Sequence, residues 1–331
     1  MYRAIPWLVL LFVTLMAGGT YVMIRYMVGL VSPVVLFGLR FVPAAAFSLI
    51  LLLIFYRKTA LKIFLRDWKY FLIREFVAVV GFHLTLIYAT SVLPAGIAAI
   101  IVAIWPIIVI FIAALVLGEA VTAKKVVGAC LAFLGAALVI ILRAQAEAEM
   151  AGITIHDWIK FSLILLIAPF CAATVTVITR LYLNRGEGND RPDVFIFSLI
   201  CRVPSALYVM IALALFPNGD SLVTSLSGLP LLFWLFVFIL SIYNSVIGFW
   251  MWNWVIQRLQ AASVASFSYI QTGITLVIAW IFLGEPLGFV KILGAVMIIA
   301  GVIYANVEHL PKKPGDRPPA AVKLPVSPGS T

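Results

Sequence analysis

Charged side chains are scarce in this chain. Lys, Arg, Asp and Glu make up 11% of its 331 residues, against 64% hydrophobic residues and a mean hydropathy of +1.17. A soluble domain carries roughly 25% charged and about 45–50% apolar residues. No aqueous fold hides this much apolar surface, so lipid must be the solvent. Acidic residues are the scarcest charge, 13 in all. None falls in the middle third of an apolar run, so the sequence shows no intramembrane carboxylate to act as counter-ion for a cation. Cysteine is limited to Cys130, Cys171 and Cys201, each within an apolar run, with neither metal spacing nor a disulfide framework. The alternating segments of about ten residues that mark a β-barrel are missing. So are His-Glu-x-x-His, Gly-x-Ser-x-Gly, a Walker loop and an intramembrane aspartate pair, which leaves an enzyme without its chemistry. No cofactor or metal is implied.

What is present is a series of apolar runs of about 20 residues, each able to cross a ~30 Å hydrocarbon layer as a helix. They fall at 6–26, 33–56, 71–91, 95–117, 125–143, 158–182, 193–216, 230–256, 261–283 and 289–306. The first lacks a small-residue cleavage site and reads as a retained helix. The net charge of +10 does not point to nucleic acid, because the basic residues flank the apolar runs. Arg3, Arg57, Lys58, Lys62, Arg66, Lys69, Arg74, Lys124, Lys125, Arg180, Arg185, Arg191 and Arg258 fall on one side, with the basic tail; Arg25, Arg143, Lys160 and Lys291 fall on the other. The positive-inside rule then puts both termini in the cytoplasm. Residues 307–331 are Pro-rich and basic and are expected to form a disordered cytoplasmic tail.

The chain also repeats itself. Leu93–Val139 aligns with Leu259–Ala305 at a constant offset of 166, with 14 identities over 47 positions. These include Leu117-Gly118-Glu119 with Leu283-Gly284-Glu285, Lys125 with Lys291, Gly128-Ala129 with Gly294-Ala295, and Gly135 with Gly301. Gly81-Phe82 matches Gly248-Phe249, and Val42-Pro43 matches Val203-Pro204. Five helices is an odd number, so the second half must enter the membrane from the opposite side. The expected fold is an all-α integral membrane protein of ten transmembrane helices, arranged as two inverted-topology five-helix repeats over 6–143 and 158–306. Carriers commonly use this plan, with the substrate site near the midplane between the halves.

Ser32-Pro33 followed by Arg40, Pro106 before Leu-Gly-Glu, the Gly128/Gly135 spacing and the second Leu-Gly-Glu carry a resemblance to the drug/metabolite transporter superfamily, EamA type. It covers about residues 6–306. It implies a secondary transporter of the bacterial inner membrane, monomeric or homodimeric, working by alternating access, often as an exporter, with proton or counter-substrate coupling as candidates. The expected partners are a small-molecule substrate, an amino acid or related zwitterion or anion, and the lipid bilayer. A multidrug or cofactor/nucleotide-related permease, or a non-transporting membrane scaffold, are the alternatives. Strict repetition breaks down at Pro106, whose partner is Thr272, and at Arg40 and Arg202, which are one residue out of register.

Candidate substrate-binding residues are the polar and aromatic groups at membrane depth. Arg40 and Arg202 read as the two intramembrane cations, either bridging to carbonyls or holding a carboxylate or phosphate with the guanidinium fork. His83 is a proton relay or a packing histidine. Tyr243, Trp250, Asn253 and Gln257 recur along one α-helical face, with Asn244 beside them, while Trp252 and Trp254 are expected to face lipid or the interface. Tyr269 and Gln271, Tyr88 and Trp105 complete the set. The glutamates of the two Leu-Gly-Glu motifs read as structural. Inversion makes a testable statement: cysteines at Thr122 and Gly288, in a background without native cysteines, should be labelled from opposite sides. Labelling of both from one side would overturn the inverted repeat.

Overall fold

The computed structural model describes residues 5–117, 122–142, 149, 152, 154–185, 192–216, 226, 228–259, 264 and 267–306. Gly118 and Glu119 of the first Leu-Gly-Glu and the tail 307–331 lie outside them. Among the described residues the structure is helical throughout, with no strand. Seven helical runs are long and apolar enough to cross a membrane: α1 Ile5–Val28, α2 Pro33–Phe55, α3 Arg57–Val92, α4 Ala95–Val116, α6 Ile155–Leu183, α7 Val194–Leu215 and α8 Leu231–Arg258. Three shorter apolar helices complete the series, α5 Ala123–Leu142, α9 Ser268–Leu283 and α10 Phe289–Asn306. Leu49, Ile50, Leu53, Ile54, Phe55 and Leu115 point outward on α2 and α4, as side chains solvated by lipid should.

The helix ends follow from the sequence. Ser32 caps α2 by accepting from the Val35 amide at 3.4 Å, and Pro33 occupies the first turn, where its missing N–H is harmless. Gly284 closes α9 in the left-handed conformation, φ 66°. Glu285 then crosses to the first half and accepts from the Ala95 and Gly96 amides at 2.7 and 2.9 Å, capping the start of α4. This agrees with a structural role for that glutamate. Arg25 closes the neighbouring helix end, donating to the Thr90 and Ser91 carbonyls at 2.8 and 2.9 Å.

α3 departs from expectation. Residues 57–70 do not form a loop; they are helical, with a kink at Asp67 (φ −121°, ψ 23°). Charges that end an apolar run in a hydropathy count here lie on the outer face of an amphipathic arm that leads into the membrane span. Asp67 accepts from the Tyr182 hydroxyl at 2.7 Å and from Arg66 and Arg185, tying this kink to the end of α6. Beneath it the Tyr70 and Tyr182 rings stack at 4.4 Å, with Phe71 and Phe197 against them.

α5 and α10, the fifth helix of each half, pack through their repeated glycines. A Cβ on Gly135 would lie 2.8 Å from the Gly294 carbonyl oxygen, and one on Gly301 2.5 Å from that of Gly128. Small residues let backbones approach where lipid supplies no hydrophobic drive between helices. Gly135→Val should therefore disrupt this contact, at about 1–3 kcal/mol for overpacking, and lower the yield of monodisperse protein on size-exclusion chromatography. Gly273→Ala, where an added Cβ meets nothing within 4 Å, should leave the yield unchanged.

Candidate functional site

Several of the long runs are interrupted. α1 breaks at Gly18-Gly19, α4 at Ala103-Ile104 and α7 at Val203-Pro204. A broken helix leaves carbonyls that need donors. α9 provides two of these: Gln271 Nε2 donates to the Ala17 carbonyl at 3.4 Å, and Thr275 Oγ1 to that of Gly18 at 2.7 Å. In the third run of each half the helix instead widens to a π-helix, at Phe76–Leu84 in α3 and Ile239–Gly248 in α8. Such segments are rare and frequent at functional sites.

A cavity of about 230 Å³ opens where these irregular segments meet, and both halves line it. Its walls include Thr20 and Arg40, Arg74, Phe82 and His83, Trp105, Thr176, Arg202, Asn244, Phe249, Trp252 and Asn253, and Gln271. Four wall pairs are related by the repeat, Ala78 with Ser245, Phe82 with Phe249, Leu86 with Asn253 and Trp105 with Gln271.

Its charge arrangement corrects the sequence reading. Glu75, assigned to the start of a helix, lies well inside α3 and is 0% exposed. One carboxylate oxygen accepts from Arg74 at 2.5 Å and the other from Arg202 at 2.5 Å. The chain thus does contain an intramembrane carboxylate. Arg40 and Arg202 are also not the only intramembrane arginines, since Arg74, counted as a loop residue, is 2% exposed. Lys291, placed at the interface, is buried too. Arg202 Nε donates to the Ser245 carbonyl at 2.7 Å, and Arg74 Nε to Thr179 Oγ1 at 3.3 Å. Both guanidiniums lie over the Phe249 ring, that of Arg202 3.7 Å and that of Arg74 4.8 Å from its centroid. Among the described residues three arginines line the cavity and Glu75 pairs with two of them, which leaves a net positive charge.

Of the residues singled out from sequence, Arg40, Arg202, His83, Trp105, Asn244, Asn253 and Gln271 line the cavity. Five do not. Tyr88 packs on Phe216, Tyr243 on Phe12 and Trp250 on Phe195, Gln257 donates to the Leu183 carbonyl, and Tyr269 is buried away from the cavity wall. The aromatic that takes Trp250's expected place is Trp252, whose ring lies 5.8 Å from that of Trp105. The face drawn through Tyr243, Trp250, Asn253 and Gln257 assumed 100° per residue. The π-helix over Ile239–Gly248 turns less per residue, which rotates everything after it. Arg74, Glu75, Phe82 and Phe249 were missed. The adjacent Arg-Glu pair and the repeated Gly-Phe were the available signals.

The fold and site are those of a membrane transporter. The profile of the EamA-like transporter family matches residues 5–141 and again 159–307, and the chain belongs to that family. It is similar to the "uncharacterized transporter YyaM" of Bacillus subtilis, 25% identical over 92% of this chain and 95% of that protein. It is similar also to a "probable terminal-alkyne amino-acid exporter" of Streptantibioticus cattleyicolor, 27% identical over 66% of this chain and 67% of that one. A third relative is a "probable amino-acid metabolite efflux pump" of Salmonella typhimurium, 24% identical over 65% and 68%. A crystal structure at 17% identity aligns with a TM-score of 0.63 over 90% of this chain and 96% of that one, a likeness of fold alone.

The Glu75 clamp predicts an order of damage. Glu75→Gln strands two buried guanidiniums, whereas Arg202→Met leaves Glu75 paired with Arg74. Breaking a buried ion pair costs about 3–5 kcal/mol. Glu75→Gln should therefore lose more folded protein than Arg202→Met, measured as thermal midpoint in detergent. The reverse order would remove Glu75 from its role as shared counter-ion.

Proposed function

We propose that the protein exports a small carboxylate-bearing metabolite of the amino-acid kind, by alternating access of a central cavity between two halves of opposite orientation. Both termini lie in the cytoplasm and the membrane is the bacterial inner membrane. The observation that carries this reading is the cavity's charge: Arg40, Arg74 and Arg202 line it, and among the described residues Glu75 is the carboxylate paired there, with Arg74 and Arg202. A cation entering there meets repulsion that a low local dielectric strengthens. An anionic or zwitterionic solute gains a positive field, with an aromatic wall of Phe82, Trp105, Phe249 and Trp252 for its apolar part. A volume of about 230 Å³ suits a metabolite and is small for a nucleotide cofactor. The names of two relatives, an amino-acid exporter and an amino-acid metabolite efflux pump, support the same class.

The test is counterflow in proteoliposomes preloaded with unlabelled amino acids. Entry of labelled leucine or another neutral amino acid should exceed that into protein-free vesicles, and a quaternary ammonium should neither enter nor compete. Transport of the quaternary ammonium without any amino-acid counterflow would replace this reading with a multidrug permease.

A further inference from the structure

Arg25 shows what a structural arginine looks like in this fold: its Nη1 takes two carbonyls at the end of α3. Arg74 and Arg202 are equally committed, sharing Glu75 and adding Thr179 and the Ser245 carbonyl. Arg40 differs from all three. It is 4% exposed and lines the cavity, yet its Nη1 has no hydrogen-bond partner. Among the described residues no carboxylate lies within ion-pair distance of it. Its one hydrogen bond is a long one, Nε to Ser245 Oγ at 3.4 Å. A buried charged donor left unmet is costly and calls for a ligand. His83 lies beside the same ring: Phe41 is 5.2 Å from the imidazole and 5.3 Å from the Arg40 guanidinium. His83 Nδ1 is also buried without a partner.

Asn253 adds the complementary group. It is fully buried and lines the cavity, and its Oδ1 has no partner. The amide orientation follows from its neighbour. Ser198 Oγ spends its single proton on the Val194 carbonyl at 2.7 Å, so it can only accept from Asn253, which must present Nδ2 to it at 2.9 Å. That turns the carbonyl oxygen of Asn253 away from Ser198 as an unspent acceptor.

We infer that the cavity reads a zwitterion: Arg40, with His83, holds the carboxylate, and Asn253 Oδ1 accepts from the ammonium, while Arg202 is excluded from direct binding because Glu75 occupies it. This rests on the amino-acid reading above and assigns its two charged ends to residues.

The experiment uses full-length protein in proteoliposomes, with labelled leucine as transported solute and three competitors: leucine, leucinamide and 4-methylpentanoate, which share a side chain and differ in one charged end. Wild-type protein should prefer leucine over each of the other two by about tenfold or more, the scale of one charge-assisted hydrogen bond. Arg40→Gln should flatten the leucine/leucinamide ratio towards one and spare the leucine/4-methylpentanoate ratio. Asn253→Leu should do the reverse. Arg202→Met should leave both ratios intact, whatever it does to yield. If Arg40→Gln does not accumulate, Arg40→Lys keeps the charge without the fork and should cut the acid/amide ratio at least threefold. Retention of that ratio in the Arg40 variants, or its loss in Arg202→Met, overturns the assignment while leaving amino-acid transport standing. Absence of leucine counterflow in wild-type protein defeats the broader reading, and the assignment falls with it.

Discussion

A single carboxylate organises the interior. Glu75 lies in α3, Arg74 beside it, and Arg202 arrives from α7 in the other half. Without Glu75 the two guanidiniums would confront each other in a low-dielectric space with only carbonyls and a hydroxyl for compensation. With it, the halves are joined at the depth where their helices are least regular. The arrangement is charge-neutral for one arginine and leaves the remainder positive, so the same residue that makes the core tolerable also sets the sign of the cavity. The Phe249 ring completes the arrangement, offering its negative face to both cations.

Around this centre, contact between the halves uses several kinds of chemistry. The α5–α10 seam depends on having no side chain at Gly135 and Gly294, and packing there is van der Waals contact of backbones. The Asp67 cluster and the stacked Tyr70–Tyr182 pair join α3 to α6 at one end of the cavity. Glu285 joins α9 to α4 through backbone amides. The break in α1 is tolerated in lipid because α9 donates to the Ala17 and Gly18 carbonyls it releases.

Much of the fold could be read from the chain, because membrane helices must be apolar for their whole length and the repeat preserves glycines at fixed offsets. The runs at 33–55, 194–215 and 289–306 match expectation closely. The misreadings share a physical origin. Hydropathy averages over a window, so Arg74, adjacent to an amphipathic arm, was counted with a basic loop, and Glu75 was left at the start of its helix. Mutual neutralisation across 127 residues of sequence makes their burial possible, and no local window contains that information. Periodicity fails in the same way at α8. A face counted in steps of 3.6 residues puts Trp250 inside and Trp252 outside, and the π-helix before them exchanges the two. Seven candidate site residues nevertheless reach the cavity, since a polar group at membrane depth has few places other than a cavity or a partner.

The repeat is faithful in backbone features and unfaithful in charge. Both third helices carry π segments, and both halves place a phenylalanine after the repeated glycine. The ionic groups are divided unequally: Arg40, Arg74, Glu75 and His83 come from the first half, and the second contributes Arg202 with the amides Asn244, Asn253 and Gln271. A symmetric cavity would offer a solute two equivalent poses. On the proposed reading, an asymmetric one would fix which end of a zwitterion faces which half as the halves move about it. Backbone symmetry would then supply two closures of similar shape, and side-chain asymmetry would give the cargo one identity in both. The residues at which the repeat breaks register, Arg40 and Arg202, also differ in their partners, with Glu75 pairing one of them into the framework and leaving the other its unmet hydrogen-bonding capacity.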